Sequence, residues 1–451
     1  MSLTALSPLD GRYASSVAEL TPYFSELALI KYRVQVEVEY FIALSLEKKV
    51  KEVPAFSTDL QKKLRAIYQN FSVTDGEAVK LIEKTTNHDV KAVEYFLKEK
   101  ISKLPCAKYS EFIHFALTSE DINNLSFSLM LKDGLQKVVL VEIQKIIKTL
   151  TTLAKQNKNV GLLALTHGQP ATPTTLGKEL AVFVSRLQYN FNNLKALKLE
   201  GKLNGATGNY AAVQIAYPEI DWMAFGKKFI SALGLKPNFL TTQIESHEST
   251  ALAFDYLAQI NNTVKNLDQD MWLYISRGIF ILQKKEGEVG SSTMPHKVNP
   301  INFENSEGNL GMANSILRFM SDKLTVSRLQ RDLTDSTVMR NQGVGLAYSM
   351  IAYKNTLTGL SKIKPNLEKI NAELEDHWEV LAEAIQVVLR KVGYPKPYEK
   401  LKELTRGQTM NKKSIQEFIE SLDIPKTEKQ KLLKLTPQTY TGLSNKLTNL
   451  I

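Results

Sequence analysis

Residues 245–277 read ESHESTALAFDYLAQINNTVKNLDQDMWLYISR, a stretch without a single Gly or Pro. Within it Leu257, Ile260, Val264, Leu267, Met271 and Tyr274 recur at alternating steps of three and four. That spacing places all six on one stripe of an α-helix, the seam of helices packed nearly parallel. A long helix with one apolar seam needs partners of similar length.

The partners lie on both sides in the chain. Over 121–159, Leu135, Val139, Ile143, Ile146, Leu150 and Leu153 recur at steps of three or four, and over 174–200 so do Leu176, Leu180, Phe183, Leu187, Phe191 and Leu194. Two further helices are expected at about 302–320 and 336–363. Five long helices make a bundle. Strand signals are sparse, so the expected fold class is all-α. The expected domains are an N-terminal helical domain at 1–114, the central bundle at 115–365 and a C-terminal helical domain at 366–451. Pro365, in "KIKPNLEK", is expected to stop one helix and begin another.

A chain of 451 residues can bury several cores, and its 43% hydrophobic and 23% charged content is that of an ordinary soluble globular protein. The N-terminus lacks the basic and apolar regions of a signal peptide, and no apolar run reaches membrane-spanning length. Cys106 is the only cysteine, which excludes intrachain disulfides and fits a reducing cytoplasm. The six histidines are scattered, with no pair at metal-ligand spacing. Net charge is +10, but residues 391–451 alone hold 12 Lys and Arg against 6 Asp and Glu. Those lysines alternate with apolar residues at helical spacing, as in "KQKLLKL". A solvated helical face is the better reading than a nucleic-acid patch.

Function is expected where the helices are interrupted. "TTNHDVKAVEYF" puts His88 at the mouth of a helix, with Asn87 and Asp89 suited to its first turn. "HFALTSEDINN" puts Thr118 and Ser119 at the head of the 121–159 helix, where Thr118 and Asp121 resemble a capping box. "LALTHGQPATPTT" holds His167 and Gln169 between two bundle helices. "GSSTMPHKVNP", residues 290–300, follows the third. Each has a structural reading as a cap or turn. Together they place hydroxyls, amides, two histidines and a lysine at helix ends, where free N–H groups favour anions.

The chain has no dinucleotide fingerprint or phosphate loop, and no G-x-S-x-G elbow for a Ser hydrolase. Proton abstraction beside a carboxylate fits the inventory better, since it needs a base, an acid for the leaving group and donors for the growing charge. A serine can serve as base only if Lys297 and a nest of loop N–H groups stabilise its alkoxide. Gly287 and Gly290 would let the loop close over a substrate.

"GSSTMPHKVNP" resembles the signature G-S-S-x-M-P-x-K-x-N-P of the fumarase/aspartase superfamily of lyases. "THGQPATPTT", "TSEDINN", "TTNHDVKAVEYF" and the "DGRY" at 10–13 are similar to its purine-nucleotide branch, in bacterial form. The likeness continues through "QRDLTDSTVMRN" and "KPYEKLKELTRG". The resemblance implies elimination of fumarate from adenylosuccinate, and from the succinylated aminoimidazole carboxamide ribotide, with neither metal nor organic cofactor.

It also implies residue roles. Ser291 would take the succinyl β-proton, and His167 would protonate the departing nitrogen. Lys297 and Asn299, with Thr118, Ser119, Ser292 and Gln243, would hold the succinyl carboxylates or neighbouring groups. Arg12, Tyr13, Arg331, Ser336, Thr337 and Arg340 would hold the phosphate and nucleotide side. Asn87, His88, Asp89 and Asn305 would complete the pocket. Leu165 stands where the family's "RTHGQP" has Arg. Argininosuccinate lyase, aspartase and fumarase would have "THLQ" where this chain has "THGQ".

The resemblance further implies a homotetramer whose sites are each built from three subunits. A continuous helix over 121–159 would be roughly 58 Å long. Barring a break near Gly134, Thr118 and His167 would then meet on one ligand only if different subunits pack head to tail.

Overall fold

The computed structural model describes residues 3–283, 294, 298–405 and 410–451. The chain is dominated by helix, in agreement with the all-α expectation. It forms two compact units, each drawn from three stretches: residues 1–143, 190–262 and 308–352 in the first, residues 144–189, 263–307 and 353–451 in the second. This grouping follows contacts, and differs in kind from a division into consecutive domains. Its boundaries fall inside long helices.

The stretch quoted first forms the helix Glu248–Ser276. Leu257, Ile260, Val264, Leu267 and Met271 are all fully buried. The helix ends where Gly278 takes φ +76°. There Ile279 N–H donates to the Tyr274 carbonyl and Gly278 N–H to that of Ile275, at 2.8 and 3.0 Å. This is a Schellman stop, which favours glycine because only glycine enters the left-handed region without strain.

In the first unit, the helix Glu26–Leu46 starts at Ser25, whose Oγ accepts from Ala28 N–H at 3.1 Å. Fourteen of its residues are buried, Val34, Val36 and Leu44 among them, so it is enclosed on nearly all sides. Burying each such side chain is worth about 1.5–3 kcal/mol. Ser119–Gly134 continues through a π turn at Leu135–Val139 into Leu140–Gln156 without a break. Gly134 keeps ordinary helical angles there, φ −63° and ψ −41°. Its reason is packing: a Cβ on Gly134 would lie 2.4 Å from the Phe24 ring, and one on Gly343 would lie 2.4 Å from Phe24 Cβ.

The second unit holds two strand pairs that the sequence hid. Gly161–Thr166 pairs antiparallel with Gln169–Thr175, so the "THGQ" stretch is a hairpin rather than an irregular connection. Phe280–Leu282 pairs with Ile363–Pro365. Pro365 therefore corrects the expectation at that point. The preceding helix Gln342–Leu360 has already ended, Pro365 closes a short strand, and Asn366 caps the next helix by accepting from Lys369 N–H at 3.2 Å. Pro is tolerated at such a strand end because the ladder needs no N–H from it there, the next donor being Asn366 N–H to the Ile279 carbonyl. In the C-terminal region Ile415, Phe418, Ile419 and Leu432 are buried while Lys426, Lys431 and Lys434 are exposed. No helix among the described residues is long and apolar enough to cross a membrane.

Candidate active site

Ser291, Ser292 and Lys297 lie outside the described residues, as do Gly287 and Gly290. The remaining expected site residues fall into both units. In the first, two networks gather most of them.

The first network surrounds Asp89. Asn87 is not in the first turn of the helix Asp89–Ile101; it ends the preceding helix Val73–Thr86 in a left-handed conformation, φ 50°. His88 is the N-cap, and its Nδ1 accepts from Lys91 N–H at 3.1 Å. That fixes one ring nitrogen as an acceptor. Asp89 Oδ1 accepts from Val90 N–H at 2.9 Å, while Oδ2 receives Arg33 at 2.7 Å and Arg340 at 3.2 Å. Burial would raise the Asp89 carboxyl, but the two guanidinium groups and the Val90 amide outweigh it and hold it below the usual range. Arg340 also reaches Glu26 at 2.7 Å.

The second network lies behind Thr118 and Ser119. Thr118 N–H donates to Asp121 Oδ2 at 3.0 Å, the backbone half of the expected capping box. Asp121 Oδ1 accepts from the N–H groups of Asn204 and Gly205, each at 3.2 Å, and pairs with Lys202 at 3.0 Å. Next to Ser119, Glu120 meets Arg331 Nη2 at 3.1 Å. Arg331 Nη1 donates to Gln243 Oε1 at 3.2 Å, and Gln243 Nε2 donates to the Ala206 carbonyl at 3.0 Å. Ser336 and Thr337 sit on the short helix Thr334–Met339, beside buried Asp335. Arg12 lies exposed with its guanidinium 5.9 Å from the Tyr13 ring centroid.

The second unit carries His167, Asn299 and Asn305. His167 and Gly168 form the two-residue loop of the hairpin, with φ 54° and 73°. Two positive-φ residues in succession mark a type I′ turn, the connection whose twist matches the strands. The turn holds the His167 side chain out in an exposed position at its tip. Asn305 is half-buried on the helix Ile301–Leu324, and Asn299 is half-buried just before it.

Six of the eight non-glycine residues with positive φ among the described residues fall in the same segments, Tyr210 and Lys396 being the other two. Asn87, His114, Ala116, His167, His247 and Leu329 each adopt it, and each lies in or beside a segment carrying expected site residues. Such conformations cost about 1–3 kcal/mol each and gather where function constrains the chain.

Three buried residues of the second network escaped the sequence reading: Glu120, His247 and Asp335. Their one legible signal is position, next to Ser119, four residues past Gln243 and immediately before Ser336. Their ligand atoms all lie within 4.8 Å of one another, close enough in distance for a divalent cation. Arg331 already supplies a positive charge to Glu120, so an internal ion network accounts for the cluster without a metal.

Residues 11–314 match the family described as Lyase, and residues 327–441 match adenylosuccinate lyase C-terminal. A protein named adenylosuccinate lyase from Haemophilus influenzae is 53% identical over 99% of this chain and 98% of its own length. One of the same name from Escherichia coli is 51% identical over 98% and 97%. The chain belongs to the adenylosuccinate lyase family. The family is one of lyases within the fumarase/aspartase superfamily. The fold extends further than the sequence likeness. A fumarate lyase from Mesorhizobium sp. BNC1 superposes with TM-score 0.76 at 16% identity, over 96% of this chain and 97% of its own.

Proposed function

We propose that this member of the adenylosuccinate lyase family eliminates fumarate from adenylosuccinate, leaving AMP, and from the succinylated aminoimidazole carboxamide ribotide. The observation that carries the reading is the family likeness, which runs from residue 11 to residue 441. Ser291 removes the β-proton of the succinyl group, and negative charge accumulates on the adjoining carboxylate. Lys297, Asn299, Thr118, Ser119, Ser292 and Gln243 hold the succinyl carboxylates while that charge builds. The C–N bond then breaks, and His167 delivers a proton to the leaving nitrogen. Arg12, Tyr13, Arg331, Ser336, Thr337 and Arg340 hold the nucleotide and its phosphate, and Asn87, His88, Asp89 and Asn305 complete the pocket.

The position of His167 suits an acid, because a side chain exposed at the tip of a turn is open to a substrate. Charge balance needs no metal and no organic cofactor: one proton leaves carbon and one arrives at nitrogen.

The working form is a cytoplasmic homotetramer with each site built from three subunits. Thr118 opens a helical run that continues unbroken to Gln156, and His167 follows its end. Exposed apolar residues on the long helices, Tyr189, Leu273, Ile301, Met312 and Phe319, are the kind a second copy would cover. A monomer with full activity at assay dilution would overturn the shared site.

The test of the reaction is fumarate release by purified protein with adenylosuccinate, argininosuccinate, aspartate and malate side by side. Turnover of adenylosuccinate alone supports the reading. Turnover of another of these compounds keeps the chemistry and overturns the substrate.

A further inference from the structure

We propose that Glu120, His247 and Asp335 form a buried hub that holds three substrate-binding segments in register, and that Glu120 is the positioning residue for Arg331. The inference rests on the reading of Arg331, Gln243 and Ser336 as substrate residues. Each hub residue sits on a different segment: Glu120 beside Ser119, His247 on the stretch that carries Gln243, Asp335 beside Ser336. Glu120 and His247 are only 3% exposed and Asp335 only 5%.

The Arg331 guanidinium is oriented by two partners at once. Nη2 is held by Glu120 at 3.1 Å and Nη1 by Gln243 at 3.2 Å. Among the described residues its buried Nε has no hydrogen-bond partner. A fork with two of its donors pinned keeps the third in a fixed direction, which is how arginine gains geometric selectivity for planar or tetrahedral anions. Remove the Glu120 carboxylate and the remaining amide contact leaves the fork free to pivot.

The charges facing Glu120 come from several segments: Arg331 and His247 attract it, Lys202 does so more weakly, and Asp335 repels it. Burial lifts its carboxyl to about 7 against the pull of Arg331. Burial would lower His247, but the carboxylates of Asp335, Glu245 and Glu120 outweigh it and raise the imidazole above its usual value. The backbone at His247 is itself left-handed, φ 61°, and its N–H donates to Glu245 Oε2 at 2.8 Å. The hub is therefore poised so that Glu120 loses its charge, and its grip on Arg331, as pH falls through neutrality.

The experiment compares wild-type protein with Glu120→Gln and Glu120→Asp. Readouts are kcat and KM for adenylosuccinate, the dissociation constant for AMP, pH profiles of kcat/KM, and thermal midpoints. Glu120→Gln is expected to raise KM and weaken AMP binding by about tenfold while kcat changes by no more than about threefold, because the contact acts on binding rather than on the bond broken. The part of any acidic limb that Glu120 contributes near pH 7 should be absent from the variant. Glu120→Asp, which keeps the charge but shortens the reach, should fall between the two, and it carries the test if Glu120→Gln does not fold. Unchanged KM, AMP affinity and pH profile in a folded variant would overturn the proposal while leaving the activity intact. If wild-type protein bound AMP but released no fumarate, the proposed reaction would fail, and AMP affinity alone would decide the role of Glu120.

Discussion

Arg33 and Asp89 face each other at 2.7 Å, the guanidinium wholly buried and the carboxylate partly so. Arg33 also donates through Nε to Asn123 Oδ1 at 2.9 Å, so one side chain ties together the helices Glu26–Leu46, Asp89–Ile101 and Ser119–Gly134. Desolvating a guanidinium is costly, and the pair is tolerable only while the carboxylate remains. Asp89→Ala should therefore destabilise the folded protein by about 3 kcal/mol, since it strands a buried charge. Denaturant unfolding of the variant checks this. The loss should be smaller in Arg33→Met, where both charge and desolvation are removed.

Phe24 is wedged against two glycines, and a methyl group at either has nowhere to go. Gly134→Ala should cost about 1–3 kcal/mol by overpacking, although alanine is the better helix former. Phe24→Leu in the same chain should recover part of the loss. Thermal unfolding of the single and double variants reads both effects. A stabilising Gly134→Ala would mean that the Phe24 ring is free to shift.

Asp268 lies buried in the second unit, where Thr356 Oγ1 donates to its Oδ1 at 2.9 Å. Its Oδ2 finds no partner among the described residues. Burial pushes its carboxyl up to about 8, against the hydrogen bonds from Ser306 and Thr356. An unfolded Asp ionises near pH 4, so between about pH 4 and pH 8 folding must take up a proton. Stability due to this group is full below the unfolded value, falls as pH rises through the interval, and levels off above it. Asp268→Asn removes the titration and keeps the acceptor for Thr356. Its stability should equal that of wild type near pH 4 and exceed it at pH 8 by about 1 kcal/mol or more, read as a higher melting temperature. Melting curves at the two pH values decide it.

Gly168 completes the turn that carries His167, and nothing lies within 4 Å of where its Cβ would be. Gly168→Ala therefore meets no clash, only the strain of a left-handed alanine, about 1 kcal/mol. The expected outcome is a small loss of stability with a larger loss of kcat, because on the proposed reaction the turn aims the acid. His167→Ala should lose most of kcat while still binding substrate. Steady-state rates with adenylosuccinate separate the two terms, and Gly168→Ala with unchanged kcat would show that the turn need not be rigid.

The sequence by itself determined what is local. The 3-4 spacing between Leu257 and Met271 determined a long helix with one buried seam, because helical periodicity needs no distant partner to be legible. His88 and Thr118 could be placed at helix starts for the same reason, and "GSSTMPHKVNP" declared its superfamily through residue identity alone. Only the tertiary structure decided what depends on partners far apart in the chain. Short pairings are fixed by backbone hydrogen bonds that composition does not record, which is why Pro365 turned out to lie in a strand and His167 on a hairpin turn. The approach of Glu120, His247 and Asp335 joins segments more than eighty residues apart, and no spacing rule reports it. Their burial, and with it the lifted carboxyl of Glu120, exists only once the core has closed around them and removed the water that would otherwise solvate the charge.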